Sequence, residues 1–369
     1  MSQQLYAAID VGGTKIAAAL VDAEGTLLTR AELPTPPKGS GGEEVMATVG
    51  ALVDTLAEDA LWADVVGVGI GSAGPVDPTR GTVSPVNIPG WRDFPIVDQV
   101  KGLKPIGGLE VVLVGDGSAM AAGEHWRGAA RGYDNALCLV VSTGVGAGLI
   151  LDGVLRTGPS GNAGHLGHIS VDVEGEDCPC GSRGCLETFA SGTSIARWAV
   201  QNGWRTRSDT VVETNFRATH AASAGGAGTA LDLDVTVTTA AVTATAVTAT
   251  SLTATSGTAS AVTASAVTAA DIAASARAGD EIALAAFERA GRALAAGIAA
   301  TAMLVDIRAA VIGGGVAKSG EVLFDPLRRH LNRYASLPFT RDLDILPAKL
   351  GGDAGLIGAV AALARPTRG

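Results

Sequence analysis

Apolar residues in this chain alternate between short continuous runs and longer helical spacings, and that alternation sketches the fold. Leu5 to Ile9 is an apolar run leading into Asp10-Val11-Gly12-Gly13-Thr14-Lys15, after which IAAALVD reads as a second strand and GTLLTRAEL as a third. Residues 43–61 carry apolar side chains at helical spacing, VVGVGIG at 65–71 reads as a buried strand ending in Ala73-Gly74-Pro75, and Val111 to Val114 forms another. Asp116 then opens the helix GSAMAAGEHWRG. Further on, ALCLVV and GLILDG read as strands separated by the turn Ser142-Thr143-Gly144-Val145-Gly146-Ala147-Gly148. Strand, glycine turn, strand thus occurs twice, which predicts two related α/β lobes gripping one ligand from opposite sides. Alanine-rich helices, a strand ending at Gly313-Gly314-Gly315 and a last helix beginning near Gly351 to Asp353 complete the pattern.

One segment breaks this rhythm. From Ala241 to Ala270 the chain repeats six five-residue units of the AVTAT type, with no charged residue between Asp234 and Asp271. A period of five matches neither strand nor helix, so no amphipathic face forms. Residues 205–266 are therefore expected to be a flexible low-complexity insert on a surface loop, with a short β-helix as the sharper alternative.

At 369 residues the chain exceeds one ordinary core, in keeping with two lobes. A formal net charge of −10 argues against a nucleic-acid surface, which needs clustered Lys and Arg. The N-terminus lacks a basic leader followed by an apolar core, and no apolar run is long enough to span a bilayer, so a cytoplasmic protein is expected.

The sharpest chemical signal lies between Ser142 and Glu187. His168, nine residues, Cys178-Pro179-Cys180, four residues and Cys185 supply one imidazole and three thiolates, the donor set of a closed structural zinc site. A disulfide or free thiols are the alternatives; a disulfide would leave an odd thiol and require an oxidising compartment. Cys138, in ALCLVV, reads as a core residue. In the first hairpin two glycines let the backbone approach phosphate, Thr14 could donate to it, and Asp10 is placed to hold hydrated Mg2+; an ordinary Gly-Gly hairpin has the same local pattern. An acid where a strand gives way to a helix, as at Asp116, is an N-cap or a positioned base, and geometrically can be both. Asn87-Ile88-Pro89-Gly90-Trp91 either presents an amide to a sugar hydroxyl or is a turn with a half-buried Trp.

Together, Asp10-Val-Gly-Gly-Thr-Lys15, the turn at Thr143, Gly144, Gly146 and Gly148, Gly164-His165-Leu166-Gly167-His168 and Cys178-x-Cys180-Gly-x-x-Gly-Cys185-x-Glu187 resemble the ROK family of sugar kinases and related repressors. The resemblance covers about residues 1–204 and 267–365. It implies a two-lobed actin-like ATPase (ribonuclease H-like) fold, with a small lobe over 1–114 completed by 353–369, and a large lobe over 115–352 that holds a zinc loop at 165–187. It also implies that Asp10, Gly12, Gly13, Thr14, Lys15, Thr143, Gly144 and Gly146 serve ATP and Mg2+, with Gly313, Gly314 and Gly315 beside the adenosine. Asp116 would take the proton from a sugar hydroxyl, usually at carbon 6. Gly74, Asn87, His165, His168 and Glu187 would contact the sugar, and His168 would also ligate zinc with Cys178, Cys180 and Cys185. Homodimers or homotetramers are expected by the same resemblance.

Two positions depart from the commonest pattern. His165 stands where glucokinase-like members usually carry glutamate; a histidine there resembles bacterial N-acetylmannosamine kinases, although human-type ones carry glutamate, and Gly115 stands where an asparagine usually precedes the acid. The expectation is a kinase for glucose, N-acetylmannosamine or N-acetylglucosamine. A sugar sensor or regulator without kinase activity is the alternative, although only nine residues precede Asp10, little room for a helix-turn-helix domain.

Overall fold

A computed structural model describes residues 4–37, 40–85, 88, 90–205, 211–214, 237–240 and 267–365. The elements run β1 (Leu5–Val11), β2 (Lys15–Asp22), β3 (Leu27–Pro34), α1 (Gly42–Ala57), β4 (Val65–Ser72), β5 (Val76–Asp77), β6 (Thr82–Val83), α2 (Ile96–Lys101), β7 (Glu110–Gly115) and α3 (Asp116–Arg127). They continue β8 (Ala136–Val141), β9 (Val145–Leu151), β10 (Val154–Arg156), α4 (Leu186–Ala190), α5 (Gly192–Gln201), β11 (Val211–Thr214) and β12 (Val237–Ala240). The chain closes with α6 (Ala269–Arg277), α7 (Glu281–Val305), β13 (Ala309–Gly313), α8 (Glu321–Tyr334), β14 (Asp344–Pro347) and α9 (Ala354–Ala364).

Contacts divide the chain into one unit of 1–199 with 267–369 and another of 200–266. In the second, β11 and β12 pair antiparallel, Val211 opposite Ala240. Residues 241–266 of the five-residue repeats lie outside the described residues, and the last four, 267–270, lead into α6, with Thr268 as its N-cap.

The first unit holds two five-stranded sheets of the same topology. One has the order β3-β2-β1-β4-β7 and the other β10-β9-β8-β13-β14. In each, a three-stranded antiparallel meander is extended by two strands parallel to its first member. Repetition of the strand pattern in the sequence is thus repetition of a fold, the two-lobed arrangement of actin-like ATPases. Central strands read as continuous apolar runs because helices cover both faces, whereas the edge strand β3 alternates half-buried and exposed residues. Helix α1 follows the 3.6 period: Val45, Met46, Val49, Leu52, Val53 and Leu56 are its buried stripe. Helix α7 is fixed at its start by the Asp280 carboxylate, which accepts from Ala283 N at 2.8 Å.

Two helices carry the site. α9 packs on β1 and β4 of the first sheet, while α3 packs on β8 and β9 of the second. Their mutual contact is backbone against backbone: a Cβ on Gly358 would lie 1.6 Å from Ala119 O, and one on Gly123 2.5 Å from Ala354 O. Alanines 8, 17 and 19 give α9 similar room on the first sheet. Among the described residues no helix is long and apolar enough to cross a membrane.

Candidate active site

β1 and β2 meet at Gly12-Gly13-Thr14, closed by Gly12 N donating to Lys15 O at 3.0 Å, and Thr14 is exposed at the tip. Asp10 precedes the turn. Its carboxylate faces the first turn of α9, where a Cβ on Gly355 would come within 2.7 Å of Oδ2. Burial, then the neighbouring Asp116 carboxylate, push Asp10 up to about 7, against Lys15 and Arg30. A buried carboxylate with a second one close enough to oppose its ionisation suits a divalent cation, so Asp10 and Asp116 fit hydrated Mg2+. Beside them Lys15 Nζ pairs with Glu32 at 2.8 Å, and Arg30 links Glu32 to Asp353 (3.0 Å) at the head of α9. Sequence patterns did not single out Arg30.

Asp116 occupies the first turn of α3, with Gly115 in the cap position, so the acid is not itself the N-cap. Its Oδ1 accepts from the adjacent Gly117 N at 2.7 Å and faces Gly146, where a Cβ would lie 3.0 Å away. Gly117 in turn lies against Ala147, with 2.4 Å from an added Cβ to its backbone. The second glycine stretch therefore presses on the start of α3. β9 begins at Val145, so Gly146 and Gly148 belong to the strand and not to the turn as expected. Burial raises Asp116 to about 6; the Gly117 N–H opposes this, and the Glu187 charge adds to it.

Glu187, in α4, reaches the same place from the other side. Its Oε2 accepts from Val145 N at 2.7 Å, lying where a Cβ on Gly144 would approach to 2.5 Å. His165 lies opposite Gly74, whose added Cβ would meet Cε1 at 3.4 Å. Burial and then the His168 imidazole lower the His165 pKa, while Glu187 raises it. The two histidine rings stack at 5.3 Å between centroids and 15° between planes. A narrow cleft runs between Gly74, Gly115, Asp116, Gly146, Asn162 and His165. Asn162 ties its walls together: Oδ1 accepts from Val76 N at 3.1 Å, and Nδ2 donates to Val76 O at 2.8 Å and Ser160 O at 2.7 Å. It escaped the sequence reading because its partner lies 86 residues away.

The donor atoms of His168, Cys178, Cys180 and Cys185 all lie within 4.8 Å of one another. Cys180 Sγ to Cys185 Sγ and Cys178 Sγ to His168 Nδ1 are both 3.7 Å. Sulfurs about 2.3 Å from a tetrahedral zinc are spaced by roughly 3.8 Å, and a disulfide by about 2.0 Å, so the donor set fits zinc and the thiols are free. Because His168 turns Nδ1 toward the sulfurs, Nε2 is left for the outer side of the ring. Cys138 is a buried core residue.

Behind the second turn, Gly314 adopts φ +87°, and an added Cβ would lie 2.3 Å from Val141 O. Gly313 packs against Met120 and Ala348, whereas a Cβ on Gly315 would meet nothing within 4 Å. Thr143 is exposed, and its carbonyl accepts from Thr193 Oγ1 at 3.1 Å. Asn87 lies outside the described residues. Trp91 is fully buried, not half-buried: it stacks on Phe94 at 4.4 Å and donates from Nε1 to Gly42 O at 3.0 Å.

A family model described as the ROK family matches residues 6–366. A glucokinase of Streptomyces coelicolor is 32% identical over 358 residues, covering 95% of each chain. An N-acetylmannosamine kinase of Yersinia pseudotuberculosis is 38% identical over 198 residues, covering 54% of this chain and 64% of that one. Among solved structures, a ROK family glucokinase from Streptomyces griseus in complex with glucose and AMPPNP superposes with a TM-score of 0.71 and 33% identity, over 98% of this chain and 99% of that one.

Proposed function

The chain belongs to the ROK family, and from that premise we propose that it catalyses ATP-dependent phosphorylation of a hexose or N-acetylhexosamine at the 6-hydroxyl, with Asp116 as the base. The observation that carries this reading is the placement of Asp116. It stands at the start of α3 between Asp10 of the first glycine hairpin and Glu187 beside the second glycine turn. The glucose and AMPPNP bound by the Streptomyces griseus relative support the same pairing of ligands.

In this reading the sugar lies in the cleft lined by Gly74, Asn162 and His165, against Glu187 and the outer edge of His168. Asn87 would contribute an amide. Asp116 accepts the hydroxyl proton as the sugar oxygen attacks the γ-phosphorus, and the bond from that phosphorus to the β,γ-bridging oxygen breaks to release ADP. Gly12, Gly13, Thr14 and Lys15 face the phosphates from one lobe, and Thr143, Gly144 and Gly146 from the other. Gly313 to Gly315 leave space for adenosine. Asp10 would hold Mg2+, whose charge balances the phosphate oxygens during transfer. His168, Cys178, Cys180 and Cys185 would hold structural zinc; through His168 and the neighbouring Glu187 they fix the sugar wall.

The lobes divide at about residues 114 and 353, a reading supported by the separate sheets and the return of α9 to the first. The exposed Leu304 (82%), with Met303 beside it in sequence, and the exposed Leu337 and Phe339 support assembly into a homodimer or homotetramer. Free thiols support a cytoplasmic location.

Asp116→Asn tests the role of the base. The amide keeps the shape and loses the proton acceptor, so kcat should fall by roughly 10²–10⁴-fold while sugar affinity stays within about twofold. Turnover at the wild-type rate would remove Asp116 from this role.

A further inference from the structure

Arg289, in the middle of α7, makes more connections to the sugar side of the cleft than any motif in the sequence foreshadows. Its Nη2 pairs with Glu176 Oε1 of the zinc loop at 2.8 Å. Its Nη1 donates to Thr188 O at 3.1 Å and Phe189 O at 3.4 Å, both in α4. The guanidinium also lies over the Phe189 ring, 4.1 Å from its centroid. The Arg289 side chain is only 13% exposed, so water competes weakly for its bonds to the two carbonyls, whereas Glu176, 43% exposed, keeps its ion pair open to solvent. Glu176 spends its other oxygen on Arg197 of α5, at 2.8 Å.

The three segments that Arg289 joins matter for what lies next to them. Glu176 stands two residues before Cys178, and Thr188 directly follows Glu187. Glu187 has its own anchor at Val145 N, and its carbonyl accepts from Ser194 Oγ at 3.0 Å. Cys185, the last of the zinc donors, is the cap residue of α4. One guanidinium therefore fixes the zinc loop before its first cysteine and the short helix after its last. A five-residue helix has too few internal hydrogen bonds to hold its own orientation. Packing helps, since Gly297 of α7 lies against Leu186 and Leu166, but apolar contacts do not fix rotation as directed hydrogen bonds do.

We propose that Arg289 is a positioning residue for sugar binding, orienting Glu187 through α4 and restraining the zinc loop through Glu176 independently of the metal. The sugar part of this inference rests on the kinase reading above; the restraint of the loop does not.

The test uses the zinc-loaded full chain and compares Arg289→Met, Arg289→Lys and Glu176→Gln with wild type. Arg289→Met keeps the aliphatic stem and the contact with Phe189, losing the donors and the charge. It should raise the sugar KM about tenfold or more and leave the ATP KM within about twofold, a split that general loosening of the fold would not produce. Arg289→Lys keeps a charge for Glu176 without the fork to the two carbonyls, so its sugar KM should fall between those of Met and wild type. Zinc release to the chromophoric chelator 4-(2-pyridylazo)resorcinol should be faster in Arg289→Met and Glu176→Gln than in wild type. Unchanged sugar KM together with unchanged zinc release in a folded Arg289→Met protein would overturn the proposal, as would equal rises in the sugar and ATP KM. A wild type without turnover on any sugar would sink the kinase reading, while the zinc-release comparison would still decide whether Arg289 restrains the loop.

Discussion

Replacing Gly144 with alanine should damage the sugar end of the cleft more than the phosphate end. The new Cβ would lie 2.5 Å from Glu187 Oε2, well inside the shortest tolerable carbon–oxygen contact. The easiest relief is a rotation of the Glu187 carboxylate, because it is the tip of a side chain, whereas Gly144 is held by its carbonyl accepting from Ser142 N at 2.8 Å. That rotation breaks the 2.7 Å hydrogen bond from Val145 N. A hydrogen bond to a charged acceptor contributes about 1.5–3 kcal/mol, so if the loss appears wholly in sugar binding, KM should rise roughly 10- to 150-fold. Steady-state kinetics with each substrate varied in turn would measure this, with the ATP KM expected to move far less. In a Glu187→Ala background the carboxylate is already gone, so Gly144→Ala should add little, and a double-mutant cycle reads that coupling directly. A folded Gly144→Ala enzyme with a sugar KM within twofold of wild type, or full additivity with Glu187→Ala, would refute the reasoning.

Three further outcomes follow from the same geometry. With Asp116 raised to about 6 and active only as the carboxylate, the base is about nine-tenths ionised at pH 7 and about one-tenth at pH 5; kcat/KM should therefore fall at least ~10-fold over that interval, more where protonation of Asp10 adds to it, and a flat profile would contradict the assignment. Cys180→Ser removes one thiolate from the four-donor cluster, so metal analysis should find less zinc and the sugar KM should rise through displaced His168 and Glu187; full zinc content would contradict this. A Cβ on Gly315 meets nothing within 4 Å, and the residue already has φ −63° and ψ −37°, so Gly315→Ala should melt like wild type; a raised ATP KM would then report adenosine against that backbone.

What the sequence revealed and what it hid divide along a physical line. Glycines 12, 144 and 146 were legible because close approach of neighbouring atoms excludes side chains, and that requirement leaves a local mark. Cysteine spacing was legible because a short loop must bring four donors to one point. The two meanders followed from apolar runs, and their identical extension by parallel strands explains why the pattern repeats. The contacts that assemble the site across the chain leave no such mark. Arg30 and Asp353 are 323 residues apart, Asn162 and Val76 are 86 apart, and Arg289 and Glu176 are 113 apart. Each is an ordinary polar residue whose neighbours in sequence say nothing of its partner. Trp91 was misjudged for a related reason: its burial depends on Phe94 and on the Gly42 carbonyl at the start of α1, not on the loop around it.

The central claim is transfer of phosphate from ATP to a sugar, and ADP release with Mg-ATP across glucose, mannose, N-acetylglucosamine and N-acetylmannosamine tests it most directly. The account predicts sugar-dependent ADP release by the zinc-loaded protein on at least one of the four, lost in Asp116→Asn. Preference for an N-acetylated sugar would make His165 a specificity residue, and preference for glucose would show that histidine is tolerated there. Sugar binding without ADP release from any of the four would contradict the account and leave a sugar sensor in its place.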